Sequence, residues 1–187
     1  MSNPYFQQNS FSKGYRPVLA EYEQCTFNGC DWEGLDLSGF QFVDCRFVNC
    51  NWSLVKLQRT TIREAHFVDC KMLGLRFDSC QTLGLSFAFE GCQLQHTSFY
   101  QLKLKNTSFS HCNLQETDFT EADLSSAKFE HCNLALAQFD HSNLEKADFR
   151  TAINFTIDPE RNRLKKAQFS LEGLVGLLRK YEVEVGW

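Results

Sequence analysis

From Thr107 to Phe149 the chain reads TSFSH CNLQE TDFTE ADLSS AKFEH CNLAL AQFDH SNLEK ADF, and written in fives it falls into columns. The third column alternates Phe and Leu, the first holds Thr, Cys, Ala or Ser, and the second is polar throughout. Neither an α-helix nor a flat strand repeats every five residues, because their side-chain periods are about 3.6 and 2. Upstream the same period holds at Tyr22, Phe27, Trp32, Leu37, Phe42, Phe47, Trp52, Leu57, Ile62, Phe67, Met72 and Phe77. After Phe87 the register slips by two residues, near Ala88-Phe89, and resumes at Leu94. We term these large apolar residues central. Two residues before each centre the chain is small or apolar, and all nine cysteines fall there. Two positions of five therefore point inward and the others outward.

A longer period lies inside the short one. Phe recurs every twenty residues as Phe27, Phe47, Phe67 and Phe87, then, past the slip, as Phe109, Phe129, Phe149 and Phe169. Cys30, Cys50, Cys70, Cys92, Cys112 and Cys132 keep the same interval, and Trp32 and Trp52 lie twenty apart. A repeat of this kind signals a solenoid, in which each unit buries its apolar face only against its neighbours. Four sides of five residues make one coil, and about six and a half coils over residues 20–155, stacked at strand spacing, give a rod of roughly 31 Å.

The units Ala122-Asp123-Leu124-Ser125-Ser126, Ala147-Asp148-Phe149 and Cys112-Asn113-Leu114-Gln115-Glu116 resemble those of the pentapeptide-repeat family. The resemblance implies an all-β solenoid, a right-handed quadrilateral β-helix closed by a short C-terminal α-helical cap. Ile157-Asp158-Pro159-Glu160, Lys165-Lys166-Ala167-Gln168-Phe169-Ser170, the Leu-rich ending and Phe67-Val68-Asp69-Cys70-Lys71-Met72-Leu73-Gly74 are similar to members that protect DNA gyrase, namely the quinolone-resistance, albicidin-resistance and microcin-immunity proteins. Quinolone-resistance members often carry long projecting loops, where this chain has only the slip of two residues.

The length, 187 residues, suits one domain. We expect a loosely ordered N-terminal cap over 1–19, the repeat over 20–155, and a helical cap and dimerisation segment over 156–187. Asp158-Pro159 is a suitable helix opening, and Ser170 can cap a last helix whose Leu171, Leu174, Val175 and Leu178 form one apolar stripe. Tyr181, Val183 and Val185 alternate with glutamates like a half-buried strand. Such a tail plugs the open end of the coil, and the family resemblance adds a homodimer.

Charge is uneven. The net charge of the chain is −4, yet residues 107–149 carry eight acids, Glu116, Asp118, Glu121, Asp123, Glu130, Asp140, Glu145 and Asp148, against Lys128 and Lys146. Two coils span about 10 Å, over which B-DNA carries about six phosphate charges. The acidic surface thus has the density of a duplex and suits a basic partner. Phosphate-loop, nucleophile-elbow and zinc-protease motifs are all missing from the sequence, so we expect neither enzyme nor cofactor. His111-Cys112 and His131-Cys132 stack one coil apart, but with Cys inward and His outward they form no metal site. The odd cysteine count without Cys-x-x-Cys pairs, and the lack of an apolar membrane span or secretion signal, suggest a cytoplasmic protein. The expected role is a DNA mimic that binds DNA gyrase or topoisomerase IV and modulates or protects it from poisons, without binding nucleic acid or membrane. The alternative is an interaction scaffold with no topoisomerase activity, using outward Val43, Val48, Val68, Leu73 and Tyr100.

Overall fold

The computed structural model describes residues 4–184. It is a parallel β-solenoid in which partner residues in successive regular coils are twenty apart, as in Glu21 with Gln41 and Phe109 with Phe129. One wall is a seven-stranded sheet of β2 (Ser10–Phe11), β4 (Thr26–Asn28), β6 (Arg46–Val48), β8 (Ala65–Val68), β9 (Phe87–Glu90), β10 (Ser108–Ser110) and β11 (Lys128–Glu130). The wall preceding it in each coil is a four-stranded sheet of β1 (Tyr5–Gln7), β3 (Glu21–Glu23), β5 (Gln41–Val43) and β7 (Thr61–Arg63). The other two walls are ladders of single bridges, such as Asn51 with Lys71 and Ser98 with Asp118.

The chain turns most corners through a residue in the left-handed region two places after the centre, as at Asp44, Leu54, His111, Glu116, Glu121 and Leu136. This conformation costs an L-residue roughly 1–2 kcal/mol. The corner N–H recovers a bond to the next coil, as when Glu121 N–H donates to Asp140 O at 2.7 Å. Inside, rings stack in register: Phe109 lies 5.2 Å from Phe129, and Phe149 lies 5.3 Å from Phe169.

The cysteines do more than fill space. Cys50, Cys70 and Cys132 point their thiols at the carbonyls of Phe27, Phe47 and Phe109 in the preceding coil, at 3.4, 3.5 and 3.4 Å. Thr60, Thr117 and Ser142 make the same contact with Leu37, Leu94 and Phe119 at 2.8, 3.0 and 2.8 Å. The inward small position therefore takes a short side chain, and Cys, Thr and Ser interchange there because each donates to the same carbonyl, while Ala65, Ala127 and Ala147 fill it without donating. Burial pushes the Cys30 and Cys45 thiols up to about 12, so they stay protonated and unreactive at neutral pH.

Four expectations need correction. The Phe column runs through Phe89, which is in register with Phe67 and Phe109; Phe87 instead pairs with Ala65. The slip therefore lies earlier, in the exposed run Gln81–Gly84 and the half-buried Leu85. Phe87 is still buried, 5.1 Å from Phe77, in a column otherwise held by Cys45, Ala65 and Thr107. Its ring fits there because Thr82, at the vacated central position of the same coil, is exposed and leaves interior volume unfilled.

The solenoid also begins upstream of residue 20, since β1 pairs with β3 and β2 with β4, and Phe6 and Phe11 extend the ring stacks onto Tyr22 and Phe27. It continues past 155 as well, through bridges at Arg163 and Gln168, so Asp158-Pro159 opens a turn of the coil and not a helix. Finally, Tyr181 ends a 3₁₀ turn and Val183 lies outside any strand; Val185 lies outside the described residues.

Candidate functional site

Three of the four walls and their corners carry the eight acids. Asp118 and Asp140 stand on the wall centred on Phe119 and Phe139, with Glu116 and Glu121 at its two corners. Asp123 and Glu145 stand on the next wall, and Glu130 and Asp148 on the Phe-column wall. Six acids therefore share two adjoining faces, the corner between them and one outer corner, and two lie apart.

Local geometry also holds several carboxylates in place. Asp118 and Asp123 accept the backbone N–H of Thr120 and Ser125 at 2.9 and 3.1 Å, and Asp123 accepts a further bond from Asn143 at 2.9 Å. Each aspartate thus stabilises the turn that follows its own centre while keeping its charge at the surface. Glu121 accepts from Gln101 at 2.8 Å and from the Tyr100 hydroxyl at 3.4 Å.

Cations that the sequence window omits reach back into the patch. Arg150 pairs with Asp148 at 2.7 Å, Arg161 with Asp140 at 2.7 Å and Arg163 with Glu145 at 2.6 Å. The Arg150 guanidinium holds the Asp148 carboxyl below its ordinary value. His96 lies 3.3 Å from Glu116. Eight acids against Lys128 and Lys146 give −6; including these three arginines gives −3. The density is then about half that of the duplex, which carries one charge per 1.7 Å. Among the described residues, Asp118, Glu121, Asp123 and Glu130 form no ion pair, and the first three lie within one coil. Arg161 and Arg163 lie one coil beyond their partners, out of sight of the linear run, whereas Arg150 stands only two residues after Asp148, just past the end of that run.

The C-terminal cap consists of a four-residue helix, α1 (Val175–Leu178), between 3₁₀ turns at Glu172–Leu174 and Arg179–Tyr181. Ser170 Oγ accepts the Gly173 N–H at 3.0 Å, as its position predicts. Gly176 and Leu177 face the rod: Ile157 N–H donates to Gly176 O at 3.1 Å, and a Cβ at Gly176 would lie 2.5 Å from Phe155 O. Leu171, Leu174 and Leu178 are exposed and Val175 is half-buried, so the apolar stripe faces away from the rod. Lys180 fastens the far end to Asp158 at 2.6 Å and to Glu160 at 2.7 Å.

His111 and His131 stack at 4.9 Å on an outer corner while Cys112 and Cys132 are buried beside them. Among the described residues no group of three or more His, Cys, Asp or Glu side chains is placed to hold a metal. No helix among them is long and apolar enough to cross a membrane.

Two stretches, residues 20–88 and 85–154, match the family model of the pentapeptide repeat region. The chain belongs to the pentapeptide-repeat family. Among solved structures it is similar to a trypsin-treated variant of QnrB1, a plasmid-mediated fluoroquinolone resistance protein, with 18% identity over 99% of both chains and a TM-score of 0.52. It is also similar to HetL, a pentapeptide repeat protein involved in heterocyst differentiation regulation from the cyanobacterium Nostoc sp. strain PCC 7120, with 15% identity over 92% of this chain and 87% of that one and a TM-score of 0.49. No curated protein sequence matches. At these identities the likenesses speak to fold alone: the chain is a repeat scaffold, and no enzyme family is indicated.

Proposed function

We propose that this scaffold is a non-enzymatic, cytoplasmic DNA mimic whose acidic faces occupy the DNA-binding surface of DNA gyrase or topoisomerase IV and modulate or protect the enzyme against poisons. The observation that carries the reading is the unpaired trio Asp118, Glu121 and Asp123, held at the surface of a single coil. The stripe Leu171, Leu174, Val175 and Leu178 joins two rods, so that two acidic surfaces lie along one longer body. Binding of this kind is electrostatic and weakens with salt. QnrB1, named for fluoroquinolone resistance, lends the direction of the proposal through its fold.

The test is a gyrase supercoiling titration, with and without a poison, at two salt concentrations. It compares the native chain with the triple variant Asp118→Asn, Glu121→Gln, Asp123→Asn. These substitutions remove charge but keep acceptors for Thr120, Ser125 and Gln101, so the turns survive. Salt-sensitive inhibition or rescue that the variant loses supports the reading; no effect of the native chain at any ratio rejects it.

A second reading, a protein-binding scaffold without DNA mimicry, is favoured by the arginine pairing of Asp140, Glu145 and Asp148. Val43, Val48, Val68, Leu73 and Tyr100 are only half-buried, whereas Leu54, Leu83, Leu136 and Ile153 are the more exposed apolar side chains along the coils.

A further inference from the structure

The two extra residues open the four-stranded wall. At every regular coil of this wall the residue before the centre donates its N–H to the preceding coil: Thr61 to Phe40 O at 2.8 Å, Asp123 to Leu102 O at 2.9 Å, Asn143 to Ala122 O at 2.9 Å. Lys103, the equivalent residue above the insertion, makes no such bond and finds no side-chain acceptor among the described residues. Between the displaced segment and this coil lies a groove of about 270 Å³ lined by Thr82, Leu83, Leu85, Gln101, Leu102 and Lys103. Leu83 on its lip is 74% exposed, while Leu85 and Leu102 at its base pack on the core.

Three cations approach it, while Glu121 and Asp123 stand one coil above Gln101 and Lys103. The Arg63 side chain lies across Gly84, whose added Cβ would meet Arg63 Nε at 3.0 Å. Lys103 forms one wall, and Lys105 follows on the same coil face. None of Arg63, Lys103 and Lys105 forms an ion pair among the described residues, in contrast to the arginines at the far end of the rod. An apolar slot, an unpaired backbone donor and three free cations are thus gathered at one break in an otherwise closed surface.

We propose that this groove is a docking site for an acidic peptide segment in extended conformation. One apolar side chain enters between Leu83, Leu85 and Leu102, a backbone carbonyl accepts the Lys103 N–H, and flanking carboxylates pair with Arg63, Lys103 and Lys105. The unpaired cations favour an acidic segment, and a neutral apolar one forgoes them. The site adjoins the acidic trio, since Lys103 is in register with Asp123 and Gln101 donates to Glu121, but it requires no topoisomerase.

The experiment is fluorescence anisotropy of the full chain with fluorescein-labelled peptides of about ten residues, each carrying one leucine among glutamates at varied spacing. Their lysine and leucine-to-serine counterparts and a single-stranded oligonucleotide serve as separate arms. Saturable binding of acidic leucine peptides is expected, with affinity falling roughly tenfold or more in Lys103→Glu and in Leu83→Ser. Both positions are exposed, and unchanged melting temperatures confirm that the variants fold. Absence of saturable binding across the acidic panel, equal binding of the lysine peptides, preference for the oligonucleotide, or binding that neither variant alters would each overturn the proposal.

Discussion

Two adjoining walls of the same coil meet one irregularity differently. The Phe-column wall passes the insertion unbroken, since β8 pairs with β9 and β9 with β10, and rings follow at 5.4 Å from Phe67 to Phe89 and 5.3 Å from Phe89 to Phe109. The wall before it stops at β7 and resumes as single bridges from Lys103 to Asp123. A solenoid therefore confines an insertion to one side of one coil. Stacked rings in the next side lose more by shifting register than an exposed turn gains by staying regular.

The sharpest way to break this comparison is to remove a ring from the intact wall. Phe109→Ala should cost about 3–5 kcal/mol in chemical denaturation, because the ring is fully buried between two stacked neighbours, whereas Leu83→Ala on the broken wall should change stability by less than about 0.5 kcal/mol. Equal costs would mean that the walls do not differ as described.

Gly176→Ala comes next. The new methyl would meet Phe155 O at 2.5 Å, so the cap must shift, at roughly 1–3 kcal/mol. The loss should appear as faster hydrogen exchange at Ile157, whose N–H binds Gly176 O, with the Phe-column amides unaffected.

A smaller effect should follow from repairing the wall. Deleting Leu83 and Gly84 together with Thr82→Leu restores a coil of twenty residues with a large apolar centre. The Lys103 amide should then find its acceptor and exchange more slowly, with a gain of about 1 kcal/mol. Unchanged exchange at Lys103 would show that the insertion is not what opens the wall.

The smallest effect is set by pH. Lys180 holds the Asp158 and Glu160 carboxyls below their ordinary values. A carboxyl lowered in the folded state stabilises it above the unfolded value, and that stabilisation is lost as pH falls through the folded one. The cap should therefore loosen below about pH 4, near the carboxylate reference values, and Lys180→Met should flatten the dependence in acid melts. The coil walls, whose core contacts involve no titrating carboxylate, should show a weaker slope.

Much of this was legible beforehand because five-residue spacing leaves one arrangement that buries every centre. The misreadings share one form. Phe87 and Phe89 both fit the twenty-residue interval, one from each side of the slip, and spacing alone cannot say which ring is shared. The apolar stripe of the last helix was legible, but its direction was not: Gly176, by its close approach to Phe155, turns that face inward and leaves Leu171 83% exposed. The acidic run is plain in the sequence, yet its charge depends on Arg161 and Arg163 folding back onto it from the next coil and on Arg150 pairing with Asp148 beside it.

The sequence by itself determined the coil, its four sides and the residues that fill it, because burial at a fixed interval is a property of neighbours along the chain. Only the tertiary structure decided the rest: which ring carries the column past the insertion, which carboxylates are left without a cation, and where the surface stays open. Those depend on contacts between coils about twenty residues apart, where a two-residue shift or an arginine's reach changes the partner without changing the pattern.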